Sequence, residues 1–155
     1  MTVFAKIIGL LTANNIGYEL IEHESVFTSA EAAKVRGTFP EQGAKALVMY
    51  ADGQPVMLVL PGNLKADLKK FKLQFQISNL QMATPEQVEQ LTGVKIGAVP
   101  PFGNLLGLKL FVDSKLAKNG KIVFNAADHS KSILMDYADF VKLTSPIISD
   151  FSLLA

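Results

Sequence analysis

The stretch Ala44-Lys45-Ala46-Leu47-Val48-Met49-Tyr50, followed by Ala51-Asp52-Gly53-Gln54 and then Pro55-Val56-Met57-Leu58-Val59-Leu60, decides the fold class. Two apolar runs flank an Asp-Gly pair, a dipeptide that tolerates the positive φ values of tight turns, so the segment predicts a hairpin of two central strands. Around it isolated helices are mixed with short strands. A first helix is expected from Val3 to Asn15, stopping at Gly17, and a strand at Tyr18–Glu22. Thr28-Ser29-Ala30-Glu31 has the spacing of a capping box, which starts a helix reaching Arg36 before Gly37. Asn63 is read as the cap of a helix through Phe71, and Thr84-Pro85-Glu86-Gln87 as the start of one ending at Gly93. Strands are expected at Leu108–Val112, Lys121–Phe124 and Ser132–Met135, then a last helix from Asp136-Tyr137-Ala138-Asp139 that ends before Pro146. Hairpins mixed with isolated helices, in place of a βαβα alternation, predict an α+β domain. Its sheet should be curved, mixed and largely antiparallel, surrounded by helices, and spread over residues 1–155 around one core.

Composition narrows the function. At 155 residues and 16.8 kDa the chain can bury roughly 68–70% of the surface its unfolded form exposes. Its charged fraction of 19% lies below the ~25% of an average domain, and a mean hydropathy of +0.27 leaves apolar residues over for a lined pocket or a partner surface. Fifteen basic against fourteen acidic residues exclude the basic excess of a protein that tracks a long nucleic-acid backbone. With no cysteine, thiol catalysis, disulfides and zinc-cysteine sites are excluded. The uncharged run from Ile96 to Leu108 is broken by Gly and Pro and is too short to span a membrane. Lys6 before Ile7-Ile8-Gly9-Leu10-Leu11 fits an amphipathic helix and not a secretion signal, so the cytoplasm is the expected compartment.

Two features carry chemistry. Lys45 is the only charge between Glu41 and Asp52, near the start of a strongly apolar strand. Such a lysine either snorkels to the surface or pairs with a carboxylate, or it is an anion-binding or catalytic group. The second feature is Gly97-Ala98-Val99-Pro100-Pro101-Phe102-Gly103, stiffened by two prolines and opened at each end by glycine. By itself it reads first as a rigid turn joining a helix to a strand, and otherwise as a preformed loop whose backbone amides face a substrate. Other catalytic markers are absent. With only His23 and His129 there is no Cys-His pair and no multi-histidine metal set, and no Gly-x-Ser-x-Gly, phosphate-binding or dinucleotide-binding glycine motif occurs. Asp128-His129 is either an acid-base pair or two solvated turn residues.

Taken together, Lys45 in its strand and the Gly97-x-x-x-Pro101 spacing resemble the YbaK/ProX family of aminoacyl-tRNA editing domains, which also occurs as the editing insertion of bacterial prolyl-tRNA synthetases. Further segments stand in the family's order: His23-Glu24, Phe27-Thr28-Ser29-Ala30-Glu31-Ala32-Ala33, Gln42-Gly43-Ala44-Lys45-Ala46-Leu47-Val48, Phe102-Gly103 and Phe124-Asn125-Ala126-Ala127-Asp128-His129. The resemblance implies a free-standing enzyme that hydrolyses the ester of a mischarged tRNA, with no metal or cofactor. Its partners would be the tRNA acceptor end and an aminoacyl-tRNA synthetase. It carries the catalytic positions over to Lys45, Gly97 and Pro101, with Lys45 holding the terminal phosphate or a polar part of the aminoacyl group. Phe27, Thr28, Ala98, Val99, Phe102 and Gly103 would form the substrate pocket, and Asn125, His129 and Ser132 its rim.

Two positions depart from the family pattern. Ala46 offers no side-chain hydrogen bond after the lysine, and Ala127 stands where glycine is favoured, which leaves the amino acid undecided. The lysines Lys65, Lys69, Lys70 and Lys72 read as a solvated helix face. A silent module that binds a nucleotide, amino acid or protein partner is the alternative reading, and a Schiff-base enzyme built on Lys45 a third.

Overall fold

The computed structural model describes residues 1–155. The chain runs through α1 (Val3–Ala13), β1 (Tyr18–Glu22), α2 (Ser29–Arg36), β2 (Ala44–Ala51), β3 (Gln54–Pro61), β4 (Leu64–Ala66), α3 (Leu68–Phe75) and β5 (Leu80–Met82). It continues through α4 (Pro85–Thr92), α5 (Gly103–Leu106), β6 (Lys109–Asp113), β7 (Lys121–Asn125), β8 (Lys131–Asp136), α6 (Tyr137–Thr144), β9 (Ile147–Ser149) and β10 (Ser152–Leu154). The α+β class is as expected, with mixed and mostly antiparallel pairing.

Asp52 and Gly53 adopt φ values of 48° and 82°, the paired positive values of a type I′ turn, and they set the β2–β3 register from Ala51 opposite Gln54 to Ala44 opposite Pro61. This hairpin is the centre of a five-stranded sheet ordered β5-β2-β3-β6-β9, antiparallel on the β5 side of β3 and parallel beyond it. Both faces of β3 are covered, which explains its unbroken apolar run. Met57 and Val59 join the larger core with Ile7, Leu11, Phe102 and Phe140, whereas Leu58 and Leu60 join a second cluster with Phe71, Phe111 and Phe151. The expected single core is therefore two, one on each face. Phe71 meets Phe111 edge-on at 4.9 Å and Phe151 at 5.4 Å, contacts worth about 0.5–1.5 kcal/mol each beyond their buried area.

The expected single sheet is also divided. β1, β8 and β7 form an antiparallel three-stranded sheet, joined to the hairpin only by a parallel bridge from Gly43 to Val123. β4 and β10 form a separate pair.

Caps decide the helix ends. The Thr28–Glu31 and Thr84–Gln87 capping boxes form as expected, and Gly37 and Gly93 close their helices in the left-handed region. Two expectations fail. Asn15, at φ 55°, takes the left-handed position after α1, so Gly17 is not needed there. Asn63 caps no helix, because Leu64–Ala66 pair with Ser152–Leu154; α3 begins later, where the Asp67 carboxylate accepts the Lys70 N–H at 3.1 Å. No helix is long and apolar enough to cross a membrane.

Candidate active site

A cleft of about 270 Å³ opens between α2, the first half of β2 and the loop that follows α4. One face of α2 supplies Ser29, Ala32, Ala33 and Arg36, spaced i, i+3, i+4 and i+7, and its two alanines leave the space that larger side chains would fill. Opposite stand Lys45, Gly62, Gly97, Val99 and Asn125. A Cβ on Gly62 would come within 2.9 Å of the Pro40 carbonyl oxygen and 3.1 Å of Ser29 Oγ, so the wall closes only around a glycine.

Lys45 reaches the cleft partly buried. Its Nζ donates to the carbonyl of Leu64 and, at 3.5 Å, to that of Gly62, and it forms no ion pair. Two carbonyl dipoles hold the ammonium without neutralising it. Burial pushes its pKa below the usual lysine range.

The glycine-proline loop divides its residues between cleft and core. Gly97 has φ 89°, and a Cβ there would lie 3.0 Å from His129 Nε2. Its carbonyl accepts from Asn125 Nδ2 at 2.6 Å, and the neighbouring Ile96 carbonyl accepts from His129 Nε2 at 3.1 Å. Ala98 N–H is spent on the Lys95 carbonyl at 3.1 Å, while the N–H groups of Gly97 and Val99 donate to nothing in the protein. Two free donors two residues apart can embrace an oxyanion.

Arg36 escaped the sequence reading. Its Nε–H donates to Ser132 Oγ at 2.8 Å and an Nη2–H to Asn125 Oδ1 at 2.9 Å, and burial pushes its pKa down to about 10. His23 completes this network. Because the Glu24 carbonyl 2.7 Å from His23 Nδ1 can only accept, Nδ1 carries the proton in the neutral ring, and Nε2 accepts from Ser132 Oγ at 2.7 Å. The only sequence signal for Arg36 is a basic residue in the last turn of a helix, which ordinarily means dipole complementation.

Of the candidate residues, Lys45, Gly97, Val99, Phe27, Thr28 and Asn125 line the cleft. Phe27 is 72% exposed and stacks on the His129 ring at 4.8 Å, so His129 stands beside Gly97 at the cleft edge. The loop's remaining residues turn away. Ala98, Pro101, Phe102 and Gly103 are buried and outside the lining. Phe102 packs between Phe124 at 5.4 Å and Phe140 at 5.6 Å, and a Cβ on Gly103 would meet the Leu108 carbonyl at 2.7 Å. Ser132, expected on the rim, is fully buried beneath Arg36. Asp128 and His129 do not pair: the Asp128 carboxylate accepts from Ser130 N–H at 2.8 Å and from Ser130 Oγ, bonds that lower its pKa and close a turn.

This cleft lies within a sequence that matches the family model for the aminoacyl-tRNA editing domain over residues 23–143. The chain is 32% identical over 151 residues to a multifunctional Ser/Thr-tRNA deacylase, ProXp-y, of Escherichia coli K12, covering 94% of this chain and 90% of the relative. It is 36% identical over 90 residues to the proline–tRNA ligase of Nitratidesulfovibrio vulgaris strain DP4, where the match spans 57% of this chain and 16% of the ligase. A solved structure described as a candidate trans-editing enzyme for prolyl tRNA synthetase superposes with a TM-score of 0.86 at 25% identity, covering 99% of this chain and 98% of that one. A chain with this family match, this relative along nearly its whole length and this fold belongs to the aminoacyl-tRNA editing domain family.

Proposed function

We propose that this aminoacyl-tRNA deacylase acts in trans, in the cytoplasm, on tRNA whose 3′-terminal ribose carries a wrong, small amino acid, and that residues 1–155 work as one editing unit. The observation that carries the site assignment is that Gly97 and Val99, two lining residues of the cleft that Lys45 enters, keep N–H groups with no acceptor in the protein. In the reaction a water oxygen attacks the ester carbonyl carbon, the carbonyl oxygen becomes an oxyanion, and the bond to the ribose oxygen breaks as that oxygen takes a proton. An aminoacyl ester is already activated. Positioning and two fixed donors supply the acceleration, and losing one such donor costs about 10²–10³ in rate in comparable sites. No protein base is required, because the ribose hydroxyl beside the ester can assist the water.

Lys45 holds the substrate by charge while Phe27, Thr28 and Val99 bound the aminoacyl group. A pocket of this kind separates side chains by size at only about 1–3 kcal/mol per methylene, so more than one small amino acid is accepted. Serine and threonine esters are the first to test, since the E. coli relative is named for them. The proline–tRNA ligase match makes a synthetase the expected protein partner.

Single-turnover hydrolysis of a panel of correctly and wrongly charged tRNAs tests the assignment. Lys45→Ala lowers the rate on the preferred ester by about 100-fold or more, as misplacement of a substrate by 1 Å does. Its melting temperature holds or rises, because a lowered lysine pKa means the buried ammonium opposes folding and its removal relieves that cost. Full activity of Lys45→Ala overturns the site, and wild-type binding without hydrolysis of any ester makes the protein a silent binding module.

A further inference from the structure

The cleft lining holds two cations, Lys45 and Arg36, and no Asp or Glu. The protein's ion pairs, Lys70–Asp150, Lys115–Asp150 and Lys121–Asp136, leave both unpaired. A guanidinium carries five N–H groups, and Arg36 spends two of them on Ser132 Oγ and Asn125 Oδ1, so three have no acceptor in the protein. Both acceptors are neutral. They orient the planar group and leave its charge unanswered, an arrangement that costs free energy until an anion arrives.

The placement also fits a particular ligand. Arg36 Nη1 lies 3.7 Å from where a Cβ on Gly43 would stand, so the guanidinium rests against the backbone just before β2. Lys45 is two residues further along the strand, so two cations held by separate neutral partners border one cleft. Two cations with separate partners suit a ligand that carries more than one polar group, as a nucleotide does. A planar fork matches two oxygens of a phosphate, which a lysine cannot do.

We propose that Arg36 is a phosphate-binding residue of the cleft, taking the 5′-phosphate oxygens of a nucleotide on its free N–H edge. The nucleotide's source, the 3′ terminus of tRNA, rests on the deacylase reading above; the phosphate site does not. Asn125 and Ser132 are positioning residues that hold the fork.

Titration of 5′-AMP, adenosine and inorganic phosphate into the full chain, followed by heteronuclear NMR, tests this. The wild type binds 5′-AMP roughly tenfold or more tightly than adenosine, the yield of one charge-assisted contact, and the Asn125 side-chain amide moves on binding. Arg36→Gln abolishes the preference while adenosine affinity stays, and Arg36→Lys keeps part of it. Equal wild-type affinity for 5′-AMP and adenosine overturns the proposal, as does an Arg36→Gln protein that keeps the preference. Inorganic phosphate binding as tightly as 5′-AMP overturns the nucleotide assignment. If Arg36→Gln does not fold, the wild-type titrations and Arg36→Lys decide. Hydrolysis assays on the same samples separate the two readings: a 5′-AMP preference without hydrolysis keeps the phosphate site and removes the deacylase, and hydrolysis without the preference does the reverse.

Discussion

Asp113 is fully buried and Arg36 half-buried, and the protein completes the first and leaves the second open. Asp113 is fully buried, with Oδ1 accepting the Phe151 N–H at 2.8 Å and Oδ2 accepting Ser152 Oγ–H at 2.7 Å and Lys115 N–H at 3.2 Å. Its charge is consumed in tying the C-terminal strand to the end of β6. Arg36 is met only by neutral acceptors and keeps N–H groups directed to no protein atom. A charged group whose hydrogen-bonding atoms are taken up by its own chain is a structural element, whereas one that is oriented with donors left over is a binding element.

The contrast breaks first at Asp113. Asp113→Ala strands three donors in the interior, so chemical denaturation should show a loss of about 3–5 kcal/mol while any soluble fraction keeps its specific deacylation rate. A loss below about 1 kcal/mol, or a fall in rate without a fall in stability, would remove Asp113 from the structural class. On the cleft side, Gly97→Ala forces a Cβ against His129 at φ 89°, and single-turnover rates should drop about 100-fold. His129→Ala should cost less than tenfold, since it removes one bond to the Ile96 carbonyl and a stacked ring; a larger defect than that of Gly97→Ala would make the imidazole a proton carrier.

Asp150 gives the smallest effect and shows what exposure does to a charge in the same corner as Asp113. Hydrogen bonds from Lys115 and then Lys70 hold its pKa below the usual carboxylate range. A depressed acid stabilises the fold above its unfolded pKa of about 3.9 and loses that contribution as the pH falls through the lower folded value. The pairs are solvent-screened and together worth about 1 kcal/mol or less. Asp150→Asn should therefore lower the melting temperature slightly at neutral pH, with an effect that fades as the pH falls through the folded-state value of Asp150, in melts across pH 2–7. Equal destabilisation at both ends of the range would refute an electrostatic origin.

Much of this architecture was legible locally. The Asp52-Gly53 turn, two capping boxes and Lys45 alone in its apolar strand are signals contained within a few residues, and each led to the right element. The misses involve distance. β4 and β10 are three-residue strands whose partners lie almost ninety residues apart, so Asn63 read as a cap when pairing with the C-terminal strand had already claimed Leu64–Ala66. Arg36 meets Ser132 and Asn125 only in the folded chain, and nothing within its own helix distinguishes it from a dipole-complementing residue. Phe102 misled for another reason: the loop's stiffness is real, but only Gly97 and Val99 of its seven residues face the cleft, while Phe102 completes the core. Ala127 has φ 65° and lies outside the cleft lining, so this residue carries a local conformational cost and does not shape the cleft wall.

The Phe27–His129 stack has a practical consequence. The chain contains no tryptophan, and Phe27 lines the cleft with most of its ring open to solvent. An indole placed at position 27 would be the sole one in the molecule, seated on an imidazole beside Gly97. Its emission would then report occupancy of the cleft in real time, on the protein alone and without a labelled nucleic acid.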